Sequence, residues 1–226
     1  MSSKAQVIAI DGPSASGKST VARKVAAAVG WLYVDSGALY RGITWKVLEE
    51  GGDPANPAQV VDCAARLGIE FFVASGAVRF RIAGVEPVAE IRTDRVNERV
   101  SEVAAVPEVR AAVTDWLRGM RKFGSLVMEG RDIGTVVFPD ADLKYYLDAS
   151  PEERARRRHA ETKAAEADGV GRVLVSLQNR DRKDSARKTA PLRAAPEARV
   201  LDTTGLTVDQ VVERIAGEIG RQRGIP

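Results

Sequence analysis

A glycine-rich loop near the start of the chain has the residue types of a phosphate-binding site. It reads GPSASGKST and matches G-x-x-x-x-G-K-[ST] between a predicted strand and a predicted helix. Glycines let consecutive backbone amides converge on phosphate oxygens, and the helix N-terminus adds a positive dipole end. Lys18 would reach the terminal phosphates, and the Ser19 hydroxyl would ligate Mg²⁺. The loop is therefore predicted to hold ATP or GTP through Gly12, Pro13, Ser14, Ala15, Ser16, Gly17, Lys18, Ser19 and Thr20.

The rest of the composition restricts the available chemistry. Cys63 is the only cysteine and His159 the only histidine among 226 residues. This argues against an internal disulfide, a zinc cluster and Cys–His or Ser–His nucleophilic machinery. Carboxylates, lysine, arginine, backbone amides or an oxygen-held metal must carry any reaction. The chain shows neither a secretory signal nor an apolar run of membrane-spanning length, so a cytoplasmic protein without membrane contact is expected.

Arginine motifs indicate a second anion pocket. Arg outnumbers Lys 25 to 9, and its planar fork can pair two phosphate oxygens at once. The motifs DSGALYR (35–41) and EGRDIGT (129–135) each follow a predicted strand. Ligands of open parallel sheets bind beyond the carboxyl ends of the strands. A pocket for a second substrate is therefore predicted beside the loop.

Two further basic segments are ambiguous by themselves. Arg180, Asp184 and Arg187 have the i, i+4, i+7 spacing of one helix face, which also fits a salt-bridged solvated surface. The arginines at 154 and 156–158 fit an ordinary basic helix or a weak nucleic-acid patch. A GTPase would need Asn-Lys-x-Asp, which the sequence lacks. A small-molecule kinase needs a second anion pocket and a water-excluding lid, and the arginine motifs favour this class.

The hydrophobic pattern predicts an α/β fold. Short apolar runs predict core strands at 6–10, 31–35, 125–129, 142–147 and 198–202. Helical periodicity predicts helices at 18–29, 38–50, 58–67 and 108–121, one from a Ser150 capping box, and a last one capped by Thr207. Residues 69–90 alternate and predict two or three antiparallel strands, so 60–100 is expected to form a small lobe. The segment 163–171 is the best candidate for an exposed tip.

The combined motifs resemble a known family. The series GPSASGKST, DSGALYR, EIRT, GRDIGTVVFPDA and RDRKDSARKTAPL, in this order, closely resembles the bacterial cytidylate kinases over essentially the whole chain. The resemblance implies a P-loop three-layer fold with a five-stranded parallel sheet, a helical lid and a small antiparallel-strand lobe for the nucleoside monophosphate. It divides the chain into a core (1–59, 101–150 and 179–226), the lobe (60–100) and the lid region (151–178).

The resemblance also implies roles for individual residues. Arg41 and Arg131 would grip the phosphate of CMP, and Arg154 and Arg158 would cover ATP from the lid helix, although Arg156 or Arg157 could substitute. The residues expected around the pyrimidine or its sugar are Ser36, Ser101, Arg110 and Asp132, and those completing the acceptor site are Arg180, Asp184 and Arg187. The residues expected to take part in catalysis are Lys18, Arg131, Arg158 and Arg187.

The expected reaction is transfer of the γ-phosphoryl group of ATP to CMP or dCMP, assisted by Mg²⁺ and giving ADP and CDP or dCDP. Its partners would be these small molecules and no nucleic acid, with the protein acting as a monomer. Two alternatives stay open. One is a kinase of a different phosphorylated or carboxylated metabolite. The other is a nucleic-acid-binding ATPase, which near-balanced charge and 5% aromatic residues make a poorer fit.

Overall fold

The computed structural model describes residues 5–162 and 169–222. Most of the expected tip at 163–171 lies outside these residues. None of the helices in the described ranges is long and apolar enough to cross a bilayer. In chain order the elements are β1 (Val7–Asp11), α1 (Lys18–Val29), β2 (Leu32–Asp35), α2 (Ser36–Glu49), α3 (Pro57–Ala65), β3 (Ile69–Ala74), β4 (Ala77–Ile82), α4 (Asp94–Val103), α5 (Pro107–Gly119), β5 (Leu126–Gly130), β6 (Leu143–Asp148), α6 (Pro151–Thr162), α7 (Gly169–Ser185), β7 (Arg199–Asp202) and α8 (Val208–Gln222).

The strands form one sheet in the order β3-β4-β2-β5-β1-β6-β7. The five predicted core strands are all present and all parallel to their neighbours, which confirms the α/β fold. The sheet nevertheless has seven strands instead of five. The antiparallel hairpin β3–β4, expected in a separate lobe, extends the sheet because the free edge of β2 accepts it. Tyr33 pairs with Ala77, and the Tyr33 amide donates to the Gly76 carbonyl at 2.9 Å.

Alternating side chains of β1 build a core on each face of the sheet. Ile8 and Ile10 are fully buried and pack in the cluster that includes side chains of α1 and α8. Val7 and Ala9 point the other way, into the cluster formed with α2, α4 and α5. A strand covered on both faces has no polar side, which is why β1 is a continuous apolar run. The three-layer architecture follows from this double burial.

Helix caps confirm several predicted boundaries. The Asn56 side chain accepts from the amides of Ala58 and Gln59 at the start of α3, and Thr207 and Gln210 exchange bonds at the start of α8. At α6 only half of the expected capping box forms. Ser150 Oγ accepts from the Glu153 amide at 3.2 Å, whereas the Ser150 amide donates to Thr204. The Glu153 carboxylate is held instead by arginines on its own helix.

Candidate active site

The phosphate loop connects β1 to α1 at the carboxyl edge of the sheet. Gly12 has a φ of 154°, and a β-carbon there would lie 2.1 Å from the Leu147 carbonyl oxygen of the neighbouring strand β6. Gly17 caps α1 in a left-handed conformation with a φ of 87°. Both positions therefore require glycine, and the first amides of α1 face the end of the sheet.

Lys18 is buried at the start of α1. Its Nζ donates to the Pro13 carbonyl at 2.9 Å, so the side chain curls back over the loop. Burial and, to a smaller extent, repulsion from Arg131 together lower the pKa of Lys18 from 10.5 to about 7, against the attraction of Glu129. A neighbouring anion would raise the pKa of Lys18 back toward its ordinary value. This is the behaviour expected of a lysine that binds phosphate.

Ser19 lies beside a buried carboxylate at the end of β5. Its hydroxyl donates to Glu129 Oε1 at 2.6 Å, and the Tyr33 hydroxyl reaches the same oxygen at 3.3 Å. Burial raises the pKa of Glu129, with a further rise from Asp35 and an opposing effect of Lys18. The hydroxyl and the carboxylate are oxygen donors, which Mg²⁺ prefers. Among the described residues no cluster of three or more His, Cys, Asp or Glu side chains could hold a metal by itself.

A cavity of about 750 Å³ runs from the phosphate loop along the ends of β2 and β5 to α7. It brings together most of the predicted site residues from six separate segments of the chain, at 14–20, 36–41, 101–110, 131–132, 158 and 180–187. The predicted residues that line it are Ser14, Ala15, Gly17, Lys18, Ser19, Thr20, Ser36, Arg41, Ser101, Arg110, Arg131, Asp132, Arg158, Arg180, Asp184 and Arg187. The four that do not line it are Gly12, Pro13, Ser16 and Arg154.

Four arginines concentrate positive charge opposite Lys18. The Nε atoms of Arg41, Arg180 and Arg187 are buried and have no hydrogen-bond partner among the described residues. Burial, together with repulsion from Arg131 and Arg41, lowers the pKa of Arg180 to about 9. Burial likewise lowers the pKa values of Arg41 and Arg187. Buried unpaired donors are costly, so this cluster is built to receive an anion.

Asp184 organises part of the cluster. Its Oδ2 accepts from Arg131 Nε at 3.0 Å, and its Oδ1 accepts from Arg187 and, at 3.3 Å, from Ser101 Oγ. Burial opposes the charged carboxylate, but Arg131 and Arg187 outweigh it and keep the pKa of Asp184 below its ordinary value. One expectation is corrected: α7 ends at Ser185, so Arg187 lies beyond the helix and reaches Asp184 from the following loop.

A second polar group lies deeper in the cavity. Arg110 of α5 pairs with Asp132, donates to the Ala104 carbonyl at 3.1 Å, and has its guanidinium carbon 5.3 Å from the centre of the Tyr40 ring. Arg110 and Asp132 are both buried. Ser36 is already bonded, because its hydroxyl donates to the Glu129 carbonyl at 2.7 Å. Its side chain therefore joins the start of α2 to β5.

The arginines of α6 differ in position. Arg154 is buried outside the cavity, where it bonds the carbonyls of Ser14 and Ala149 and pairs with Asp181. Arg157 lies beside the phosphate loop. Its Nη1 is 3.5 Å from the position that a β-carbon on Gly17 would occupy. Arg158 lines the cavity and pairs with Glu161 at 3.3 Å.

Several acidic and basic residues of the site were not assigned from sequence. Asp35 and Arg92 pair at 2.5 Å and line the cavity, as does Glu129. Asp11 accepts from the amides of Ile133 and Gly134, both at 2.8 Å, and burial raises its pKa to about 7. Asp11, Asp35 and Glu129 each lie at the carboxyl end of a parallel strand, and that position was an available signal.

Comparisons with known proteins agree with this geometry. The family model described as cytidylate kinase matches residues 8–221. A protein of Streptomyces griseus named cytidylate kinase is 45% identical over 92% of this chain and 89% of its own length. Two further proteins of the same name are each 43% identical to this chain. The one from Pseudomonas aeruginosa matches over 98% of this chain and 98% of its own length. The one from Limosilactobacillus reuteri matches over 92% of this chain and 92% of its own length.

A solved structure supports the fold alone. The crystal structure of an uncharacterized protein from Eubacterium ventriosum superposes with a TM-score of 0.53 at 11% identity, covering 95% of this chain and 98% of that one. The family model and the relatives reach further, since they match nearly the whole sequence together with the loop and the arginine motifs that line the cavity. The chain belongs to the cytidylate kinase family.

Proposed function

We propose that this protein transfers the γ-phosphoryl group of ATP to CMP or dCMP between the two anion sites of the cavity. Family membership supports the reaction, and one observation carries the assignment of the site. One cavity of about 750 Å³ is lined by the phosphate loop and by three arginines whose buried Nε atoms have no hydrogen-bond partner within the described part of the chain. Such a cavity suits two nucleotides whose phosphates meet in the middle.

In this proposal the loop amides and Lys18 hold the phosphates of ATP. Arg41 and Arg131 hold the phosphate of CMP, with Arg180 and Arg187 closing the ring of charge. The transferring group is loose and metaphosphate-like, so positioning and charge neutralisation carry catalysis, and no strong base is needed. Binding of the phosphates would return Lys18 to its charged form, because the anions offset the burial and the repulsion that lower its pKa.

We propose that the pair Arg110–Asp132 recognises the cytosine base. The pair is buried and its groups are already hydrogen-bonded, so their direction is fixed before the substrate arrives. A buried polar group matched to the exocyclic amine of cytosine is mismatched against the carbonyl of uracil. Asp184, beside Ser101, is our candidate for the ribose hydroxyls.

We assign Mg²⁺ to the oxygens near the start of α1. Ser19 Oγ would be its protein ligand, and Glu129, 2.6 Å from that hydroxyl, would accept from its hydration shell. The ion, when bound, neutralises charge on the β- and γ-phosphates.

Lobe and lid assignments belong to the same proposal. Arg92 from the 60–100 lobe region and Arg158 from the 151–178 lid region both line the cavity, so closure of either would exclude water. The proposal also includes a protein that acts as a monomer on small molecules without nucleic acid. The single buried thiol, Cys63, is consistent with the reducing cytoplasm.

The test is ADP formation from Mg-ATP with CMP, dCMP, UMP, AMP and GMP, together with a no-acceptor control. We expect rapid turnover with CMP and dCMP, weak turnover with UMP and little in the control. Equal ADP release without acceptor, or stimulation only by RNA or DNA, would contradict the proposal. A different preferred acceptor would retain a kinase but refute the base assignment.

A further inference from the structure

The backbone amide and the backbone carbonyl of Ser14, in the phosphate loop, both bond to side chains. Its amide donates to Asp181 Oδ1 at 3.1 Å, and its carbonyl accepts from Arg154 Nη1 at 3.1 Å. Asp181 Oδ2 and Arg154 Nη1 also pair with each other. We call this group, Ser14, Arg154 and Asp181, the Ser14 clamp.

The clamp joins three elements at a buried point. Arg154 lies on α6, and its Nε donates to the Ala149 carbonyl just after β6, at 3.1 Å. Asp181 lies on α7, and the two charged side chains are 8% and 16% exposed. The hydrogen bonds that Arg154 makes go to the clamp and to Ala149, which makes its predicted contact with ATP a poor fit. Buried and fully bonded ion pairs fix geometry, since breaking one leaves a charge unpaired.

Helix α7 thereby touches both halves of the cavity. Asp181 holds the loop, Arg180 lines the cavity between, and Asp184 holds Arg131 and Arg187 on the acceptor side. Asp181 and Asp184 are close in sequence but face different partners. Hydrogen bonds of an ionised group to backbone amides are strong and directional, so Asp181 can set the loop without touching a nucleotide.

We propose that Asp181 is a positioning residue for the donor side of the site, acting through the Ser14 peptide and Arg154. The proposal rests on the proposed function for its acceptor, CMP, but its donor half concerns ATP alone. A loop released at Ser14 would no longer present its amides in register, and small misplacements of a binding group are costly.

The experiment compares two isosteric changes on one helix, Asp181→Asn and Asp184→Asn, in the full chain. For Asp181→Asn we expect KM for ATP, and the Kd of ATP measured without acceptor, to rise about tenfold, as is typical when a bond to a charged group is lost. Its KM for CMP should stay within about twofold. Asp184→Asn should show the reverse pattern. Asp209→Asn, which breaks the exposed pair with Lys24, should leave both constants unchanged.

A role limited to holding α7 together would raise both KM values in both variants, and that parallel change would overturn the proposal. An Asp181→Asn protein whose ATP constants stay within about twofold of wild type would overturn it as well. Circular dichroism and the unfolding midpoint verify the fold of each variant.

A second variant, Arg154→Lys, keeps the charge but cannot bond Ser14, Ala149 and Asp181 together. It should therefore reproduce the loss of ATP binding. Normal ATP binding by this variant would remove Arg154 from the clamp. If the wild type fails to use CMP, the proposed function falls, while the ATP titration still decides the role of Asp181.

Discussion

Replacing Lys18 by methionine should abolish turnover and yet stabilise the folded protein at low to neutral pH. Lys18 is buried, and its pKa falls from 10.5 to about 7 because of burial and then repulsion from Arg131. Methionine has a similar length and carries no charge. The change also removes the bond to the Pro13 carbonyl at 2.9 Å, and this loss opposes the gain. The attraction between Lys18 and Glu129 is already contained in the pKa of Lys18.

The size and the sign of the effect follow from proton linkage. One pKa unit is about 1.4 kcal/mol, so the fall from 10.5 to about 7 corresponds to an order of 5 kcal/mol in the free energy of unfolding. Since the folded-state pKa lies below the unfolded one, the unfolded chain binds more protons between these values, and wild-type stability rises with pH there. The methionine variant lacks this rise, and its advantage should shrink by about 3 kcal/mol between pH 6 and about pH 9.5.

The lost hydrogen bond reduces the net gain. Losing the Pro13 bond should cost about 1–2 kcal/mol, which leaves about 3 kcal/mol at pH 6. For a chain of 226 residues this is roughly 6–12 °C in Tm. Near pH 9.5 the two proteins should be about equally stable.

The assay is thermal and urea unfolding of wild type and Lys18→Met at both pH values, with turnover measured on Mg-ATP and CMP. We expect kcat to fall at least about a hundredfold, as for other removed charge stabilisers. Lys24→Met, at an exposed position, is the control and should show no pH-dependent difference from wild type. A Lys18→Met protein that is less stable than wild type at pH 6, or whose difference is the same at both pH values, would refute the reasoning.

Three further predictions concern the base pocket, the metal and the core. Asp132→Asn should raise KM for CMP about tenfold or more, because Arg110 loses its buried partner, whereas KM for ATP should change little; the opposite pattern in steady-state kinetics would move Asp132 out of the acceptor pocket. Glu129→Gln should raise the Mg²⁺ concentration needed for half-maximal turnover, since the neutral amide holds water on a cation less well; an unchanged Mg²⁺ titration would remove Glu129 from that role. Phe138→Ala should lower the free energy of unfolding by about 3–5 kcal/mol because Phe138 is buried in the core, and Val85→Ala, at an exposed position, should change it by less than about 0.5 kcal/mol in the same urea titration.

Local signals were sufficient for most of the fold. The strand at β1 and the helix after Gly17 were predictable because apolar runs and glycines act over a few residues. The hairpin β3–β4 was recognised as antiparallel, but its junction with β2 at Tyr33 and Ala77 was not. That junction depends on which edge of the sheet is left free, and no local pattern records it.

The site shows the same division. The loop and the arginine motifs were recognisable because phosphate binding demands particular residue types at short spacing. The places of Arg154 and Asp181 were not, since their partner, the Ser14 peptide, lies 140 and 167 residues away in sequence. The sequence of α6 does not show which of its arginines is buried, because this depends on how the helix packs against the phosphate loop. The position of Arg187 could not be predicted either, because it depends on α7 ending at Ser185.

The most direct test of the central claim is to follow the γ-phosphate itself. Wild-type protein would be mixed in excess with γ-labelled ATP, Mg²⁺ and CMP, and the products separated after a single turnover. The proposed function predicts that the label appears in the β-phosphate of CDP, with little in inorganic phosphate, because the arginine cluster would present the acceptor to the loop and the closed lid would exclude water. Label recovered as inorganic phosphate at the same rate with and without CMP would contradict the account.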